Sequence, residues 1–113
     1  MVVTTGVTDV LSDGVRTVLV NNGHPFQALV TGMGCALGSV LCAALAVNKD
    51  DKLMSCLAAV LLYNVAAERA VKKDGSRGPG SFSAAFLDEL YEIGEICVRG
   101  ESGWLDGVKV EFM

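Results

Sequence analysis

Residues 30–47 read VTGMGCALGSVLCAALAV: a β-branched pair, two glycines around a methionine, a cysteine, and then a run of small and apolar residues. From 35 to 47 the run has no polar face, the pattern of a helix buried on every side. A strand ending at Val30-Thr31, followed by Gly32-Met33-Gly34 and a helix, turns several backbone N–H groups toward one point. The glycines permit unusual backbone angles and close approach, and a helix N-terminus carries partial positive charge. The N–H groups of Met33, Gly34 and Cys35 are therefore expected to form an anion hole for a phosphate or a developing oxyanion. A GxG before a helix is equally the sequence of a compact connection. Cys35 falls in the first turn, where the same field favours a thiolate and makes a base or nucleophile possible. Cys42, Cys56 and Cys97 read as small buried hydrophobes.

Upstream, residues 2–3, 9–11, 17–20 and 26–30 are short β-prone runs separated by Thr5-Gly6, Ser12-Asp13-Gly14 and Asn21-Asn22-Gly23. They predict a strand, a hairpin around Asp13-Gly14 and a further strand after Gly23. Downstream, residues 52–73 carry Leu53, Leu57, Val60, Leu61, Val65 and Ala66 at helical spacing, with Glu68, Arg69, Lys72 and Lys73 at the end and Gly75 able to close it. A third helix is expected from about Ser81 as N-cap, with Asp88, Glu89 and Glu92 facing water. The tail, with Trp104 and alternating Val108, Val110 and Phe112, predicts a weak strand. The order is β-rich, then α-rich, without repeats.

The chain has 113 residues and a net charge of −4, and half of its residues are hydrophobic, which fits one domain and one modest core. Asp9, Asp13 and Arg16 are the only charged residues before Lys49, so the first half reads as interior. The acidic balance argues against a nucleic-acid partner, and the one basic cluster, Lys72, Lys73 and Arg77, reads as a solvated helix end. No apolar run reaches the roughly 18–20 residues of a spanning helix, and residues 30–47, which come nearest, are too rich in Gly, Ala, Ser and Thr to face lipid. With no secretory leader at the N-terminus, a soluble cytoplasmic protein with reduced thiols and no membrane partner is expected. The four cysteines show no metal-ligand spacing and there is one histidine, so no protein metal site is expected.

Three separated pieces carry a resemblance to a known family. They are Val3-Thr4-Thr5-Gly6 through Thr8-Asp9 to Ser12-Asp13-Gly14; Asn22-Gly23-His24-Pro25 with Val30-Thr31-Gly32-Met33-Gly34-Cys35-Ala36-Leu37; and Gly78-Pro79-Gly80-Ser81-Phe82 with Phe86-Leu87-Asp88-Glu89-Leu90-Tyr91. Together they resemble hydroxyethylthiazole kinase, a ribokinase-like enzyme of thiamine salvage. Residues 45–51 and 61–68 look most like the kinase part of the fungal bifunctional thiamine-phosphate synthase. The resemblance leaves out the tail, 97–113.

The resemblance implies an α/β, ribokinase-like fold of which 1–113 is a single partial domain, the C-terminal portion: a β-rich first part and then a helical layer. It implies ATP-dependent phosphorylation of the hydroxyl of 5-(2-hydroxyethyl)-4-methylthiazole, with Mg2+. Thr5 matches the family's ATP-contacting threonine, Gly32 its substrate-binding glycine, and Cys35 the catalytic-base position, where most ribokinase-like enzymes place an aspartate. Met33 stands where the family has a small or hydroxyl residue, and could crowd the phosphate. The family's N-terminal half, with an arginine and a methionine that touch its ligands, has no counterpart here. The family assembles into oligomers, so a homo-oligomer or the absent half is the expected partner. Two other readings stand beside the enzyme: a non-catalytic interaction module on the same fold, and a cysteine hydrolase pairing Cys35 with His24, although Asn22-Gly23-His24-Pro25 also reads as a turn.

Overall fold

The Asp13-Gly14 turn begins the sheet. Asp13 Oδ1 accepts the N–H groups of Val15 at 2.9 Å and Arg16 at 2.7 Å, and Gly14 takes φ +92°, which suits a residue without Cβ. Those N–H groups, Arg16 first, and then the Arg16 guanidinium hold the Asp13 carboxyl down to about 2. The computed structural model, which describes residues 1–113, extends this hairpin into a four-stranded sheet. Its strands are β1 (Val2–Thr4), β2 (Asp9–Ser12), β3 (Thr17–Val20) and β4 (Val110–Phe112), in that order and antiparallel throughout. Leu11 lies opposite Val18 in the register, and Leu11, Val18 and Val20 are fully buried, so one face of the hairpin enters the core. The tail strand forms as β4, bringing Val110 opposite Val20.

Between β3 and β4 run three helices, α1 (Met33–Val47), α2 (Lys52–Lys72) and α3 (Pro79–Val98). α2 packs against α1 on one side, α3 on the other and β2 beneath. Its N-terminus is fixed by Asp51, whose Oδ1 accepts the Met54 N–H at 3.2 Å and pairs with Arg16 at 2.9 Å, tying the hairpin to the helix. Gly75, at φ +68°, turns the chain after α2 and donates to Val71 O at 3.1 Å. Tyr63, Phe82 and Phe86 meet between α2 and α3: Tyr63 and Phe86 edge to face at 4.8 Å, Phe82 and Phe86 stacked at 5.8 Å.

Several expectations are corrected. Residues 26–30 do not form a strand: Pro25–Leu29 is a 3-10 helix, started by a capping box in which His24 Nδ1 accepts the Phe26 N–H and Gln27 Oε1 accepts the His24 N–H. The most deeply buried helix is α2, not α1; only Met33 and Leu37 of α1 are buried, while Cys35 and Cys42 are exposed. Apolarity all round makes a helix want cover, and this chain covers only one side of α1. Cys97 is exposed as well, so of the three cysteines read as buried only Cys56 is. α3 starts two residues earlier than Ser81, with Gly78 as N-cap and Pro79 in its first turn.

Glu89 does not face water. It is 2 % exposed, and Arg69 Nε donates to its Oε1 at 2.6 Å while Lys73 Nζ reaches Oε2 at 3.3 Å. Burial alone raises this carboxyl, but hydrogen bonds from Arg69 and Lys73 outweigh it and hold Glu89 below its ordinary value. Arg69 and Lys73 thus dock α3 on α2, with the Lys73 side chain still 47% exposed. By length and composition one helix, Lys52–Lys72, is apolar enough to cross a membrane, and 67% of its apolar window is buried inside the fold; residues 30–47 are therefore not the nearest approach to such a segment.

Candidate functional site

A cleft of about 580 Å3 opens where the β1–β2 turn, residues 21–28, the start of α1 and the middle of α2 meet. Thr5, Gly6, Asn21, His24, Met33 and Gly34 are among its lining residues, with Tyr63 and Asn64 from α2 at the back. The cleft therefore gathers Thr5 with Met33 and Gly34, which lie far apart in the sequence. Gly32 and Cys35 flank Met33 and Gly34 on the same turn, both exposed, outside the cleft lining itself.

Gly32 caps α1 at φ +89°, ψ −1°, the left-handed region, with no side-chain cap bond. The N–H groups of Gly34 and Cys35 consequently have no acceptor in the chain, while the Met33 N–H makes a long 3.4 Å bond to Val30 O. Two donors of the expected anion hole thus stand free, and the third is weakly engaged. The Met33 side chain is buried, and Tyr63 OH donates to Met33 O at 2.5 Å and lies 3.5 Å from Met33 Sδ. Met33 therefore packs inward instead of crowding the helix N-terminus. Burial pushes the Tyr63 phenol up, so it remains a donor at neutral pH.

The electrostatics of the cleft are lopsided. Its one charged lining residue is Asp9, and neither Lys nor Arg lines it. An anion there would meet backbone N–H groups and the α1 dipole but no side-chain cation from this chain. No group of three or more His, Cys, Asp and Glu side chains stands close enough to hold a metal ion.

His24 lines the cleft, but its Nδ1 accepts the Phe26 N–H at 3.1 Å. The neutral ring then carries its proton on Nε2 and has no free lone pair for a thiol proton, which removes the basis of a Cys35–His24 pair.

The resemblance assigns no role to four polar residues of the cleft, Asp9, Asn22, Gln27 and Asn64, although all but Gln27 fall in the stretches that carry it. Asn64 Nδ2 donates to Asp9 Oδ2 at 2.6 Å, and Asn22 joins Glu68, Gly107 O and the Lys109 N–H. The available signal was Asn64, a polar residue in the apolar stretch Leu61-Leu62-Tyr63-Asn64-Val65, where an amide must find a buried partner.

Residues 1–95 match the hydroxyethylthiazole kinase family. The chain is 46% identical over 101 residues to "Hydroxyethylthiazole kinase" of Moorella thermoacetica, covering 88% of this chain and 37% of that protein. It is 36% identical over 117 residues to "Probable thiamine biosynthetic bifunctional enzyme" of Schizosaccharomyces pombe, covering 98% of this chain and 23% of that protein. The latter similarity takes in the tail that the motif resemblance left out. Among solved structures, a hydroxyethylthiazole kinase protein from Pyrococcus horikoshii superposes with TM-score 0.83 and 32% identity, over 98% of this chain and 40% of the other. The chain thus spans between about a quarter and two fifths of the length of these relatives.

Proposed function

This chain belongs to the hydroxyethylthiazole kinase family, and on that premise we propose that residues 1–113 act as one domain equivalent to the C-terminal part of that kinase. The reaction is phosphoryl transfer from ATP to the hydroxyl of 5-(2-hydroxyethyl)-4-methylthiazole in thiamine biosynthesis, in the cytoplasm. The observation that carries the reading is the convergence of Thr5 and the uncapped α1 N-terminus on one cleft.

Phosphoryl transfer needs positioning and charge stabilisation more than covalent chemistry. The free N–H groups of Gly34 and Cys35, with the Met33 N–H beside them, are placed to hold phosphate oxygens as charge shifts during transfer. Thr5 on the facing turn contacts the nucleotide, and Gly32, lacking Cβ and with open space around it, lets the thiazole approach the backbone. Cys35, exposed in the first turn, is the base that takes the hydroxyl proton. Mg2+, bound together with the nucleotide, would offset phosphate charge.

A second reading is favoured by a specific observation. An apolar groove of about 370 Å3 between α1, α2 and Trp104, lined by Val40, Ala44, Val47, Leu62 and Cys97 among others, is open to the surface. An interaction module that meets a second copy, or the remainder of a kinase fold, would use such a face. ATP consumption by the purified chain with Mg2+, with and without the hydroxyethylthiazole, separates the two. Thiazole-dependent ADP release that is lost in Cys35→Ala is the expected result; no thiazole-dependent release leaves the module.

A further inference from the structure

The Asp9 carboxylate is 6% exposed, lines the cleft, and receives its hydrogen bonds from neutral donors. Gly6 N–H donates to Oδ1 at 3.1 Å and Asn64 Nδ2 to Oδ2 at 2.6 Å. Asn64 Oδ1 in turn accepts Gln27 Nε2 at 3.2 Å, and Gln27 Oε1 accepts the His24 N–H at 2.9 Å. The sequence Gly6, Asp9, Asn64, Gln27, His24 crosses the cleft's back wall from the turn bearing Thr5 to the segment on the other side.

The direction of every bond follows from its first member. An ionised carboxylate only accepts, so Asn64 must turn its NH2 to Asp9 and its oxygen to Gln27, and Gln27 must then turn its oxygen to the His24 N–H. The geometry points to Asp9 as a positioning residue: through Asn64 and Gln27 it locks the Thr5–Gly6 turn and the residue 23–27 segment in one relative placement, and so sets the width of the cleft. Its consequence for nucleotide binding rests on the kinase reading above; the lock itself stands on the hydrogen bonds alone.

Replacing Asp9 by asparagine keeps the shape and breaks the logic. Two NH2 groups would then face each other, so either Asn64 turns over and disturbs Gln27 and the His24 N–H it holds, or the new amide turns over and releases the Gly6 N–H. The double exchange D9N/N64D restores every bond with roles swapped: residue 9 accepts from Gly6 and donates to residue 64, and residue 64 accepts from both sides.

The test is residue-resolved amide hydrogen exchange on the 113-residue chain, Asp9→Asn and D9N/N64D, each sample also titrated with MgATP. Expected is about tenfold faster exchange at Gly6 or His24 in Asp9→Asn, the loss of one charge-assisted bond, with parental rates at both in the double exchange. MgATP affinity should fall about tenfold in the single variant and return in the double. Parental rates at both amides in Asp9→Asn, or no recovery in the double exchange, overturns the lock. Should Asp9→Asn not fold, recovery or non-recovery of native exchange in the double exchange decides. A parental chain without MgATP affinity contradicts the kinase reading instead, and the exchange rates still judge the lock.

Discussion

Gly32 and Gly23 show how differently two glycines can be required. Gly32 sits at φ +89° with nothing within 4 Å of where a Cβ would stand, so Gly32→Ala meets strain without a clash. A left-handed residue other than glycine costs about 1–2 kcal/mol, and chemical denaturation should read a loss of that size while α1 stays intact. Gly23 has φ +122°, and a Cβ there would lie 2.7 Å from Gln27 Oε1. Gly23→Ala should therefore cost more than Gly32→Ala and also release the His24 N–H; equal losses would contradict this account. The resemblance names Gly32, Thr5 and Cys35 because their motifs are local. The pairing of Asp9 with Asn64 was not, since its partners lie 55 residues apart and nothing local to either predicts the other.

Among the elements, the α2–α3 contact hinges on Glu89, which has an ordinary value of 4.5 and is held below it. A carboxyl depressed in the folded state stabilises fully above its unfolded value and loses that contribution as pH falls through the lower folded one. Glu89→Gln should cost about 1–2 kcal/mol at pH 7, because Arg69 is itself partly exposed and screened. The difference from the parent should shrink steadily below about pH 4.5 in urea unfolding; a difference that is constant to pH 3 would contradict the pairing. The periodicity of residues 52–73 made α2 readable almost to its last residue. It could not show that α1 is half uncovered, because burial depends on neighbours while periodicity reports only composition along one axis. The strand expected at 26–30 failed for a related reason: β-prone residues gave way to a capping box, with Pro25 fixing the first turn.

At the level of the whole molecule, apolar surface remains where a larger fold would have partners. Val47 is 86% exposed beside the Trp104 groove, and β1 ends one edge of the sheet with β4 at the other. Substituting Val47 by glutamate should change stability by no more than about 0.5 kcal/mol and shift sedimentation toward the monomer. Unchanged sedimentation would show that this face is not where copies meet. The overall order, strands and then helices with a returning tail strand, was readable from charge and turn signals. That the returning strand closes onto β3 was not, since the pairing joins opposite ends of the chain.

Under the proposed function, the cleft receives a nucleotide's phosphates at the start of α1. Titrating the isotopically labelled chain with MgATP, while following every backbone amide, tests it most directly. Saturable shifts concentrated at Gly34, Cys35 and the Thr5–Gly6 turn are expected, with the helix α3 surface unmoved. Shifts confined to other surfaces, or none at Gly34 and Cys35 at saturating nucleotide, would contradict it.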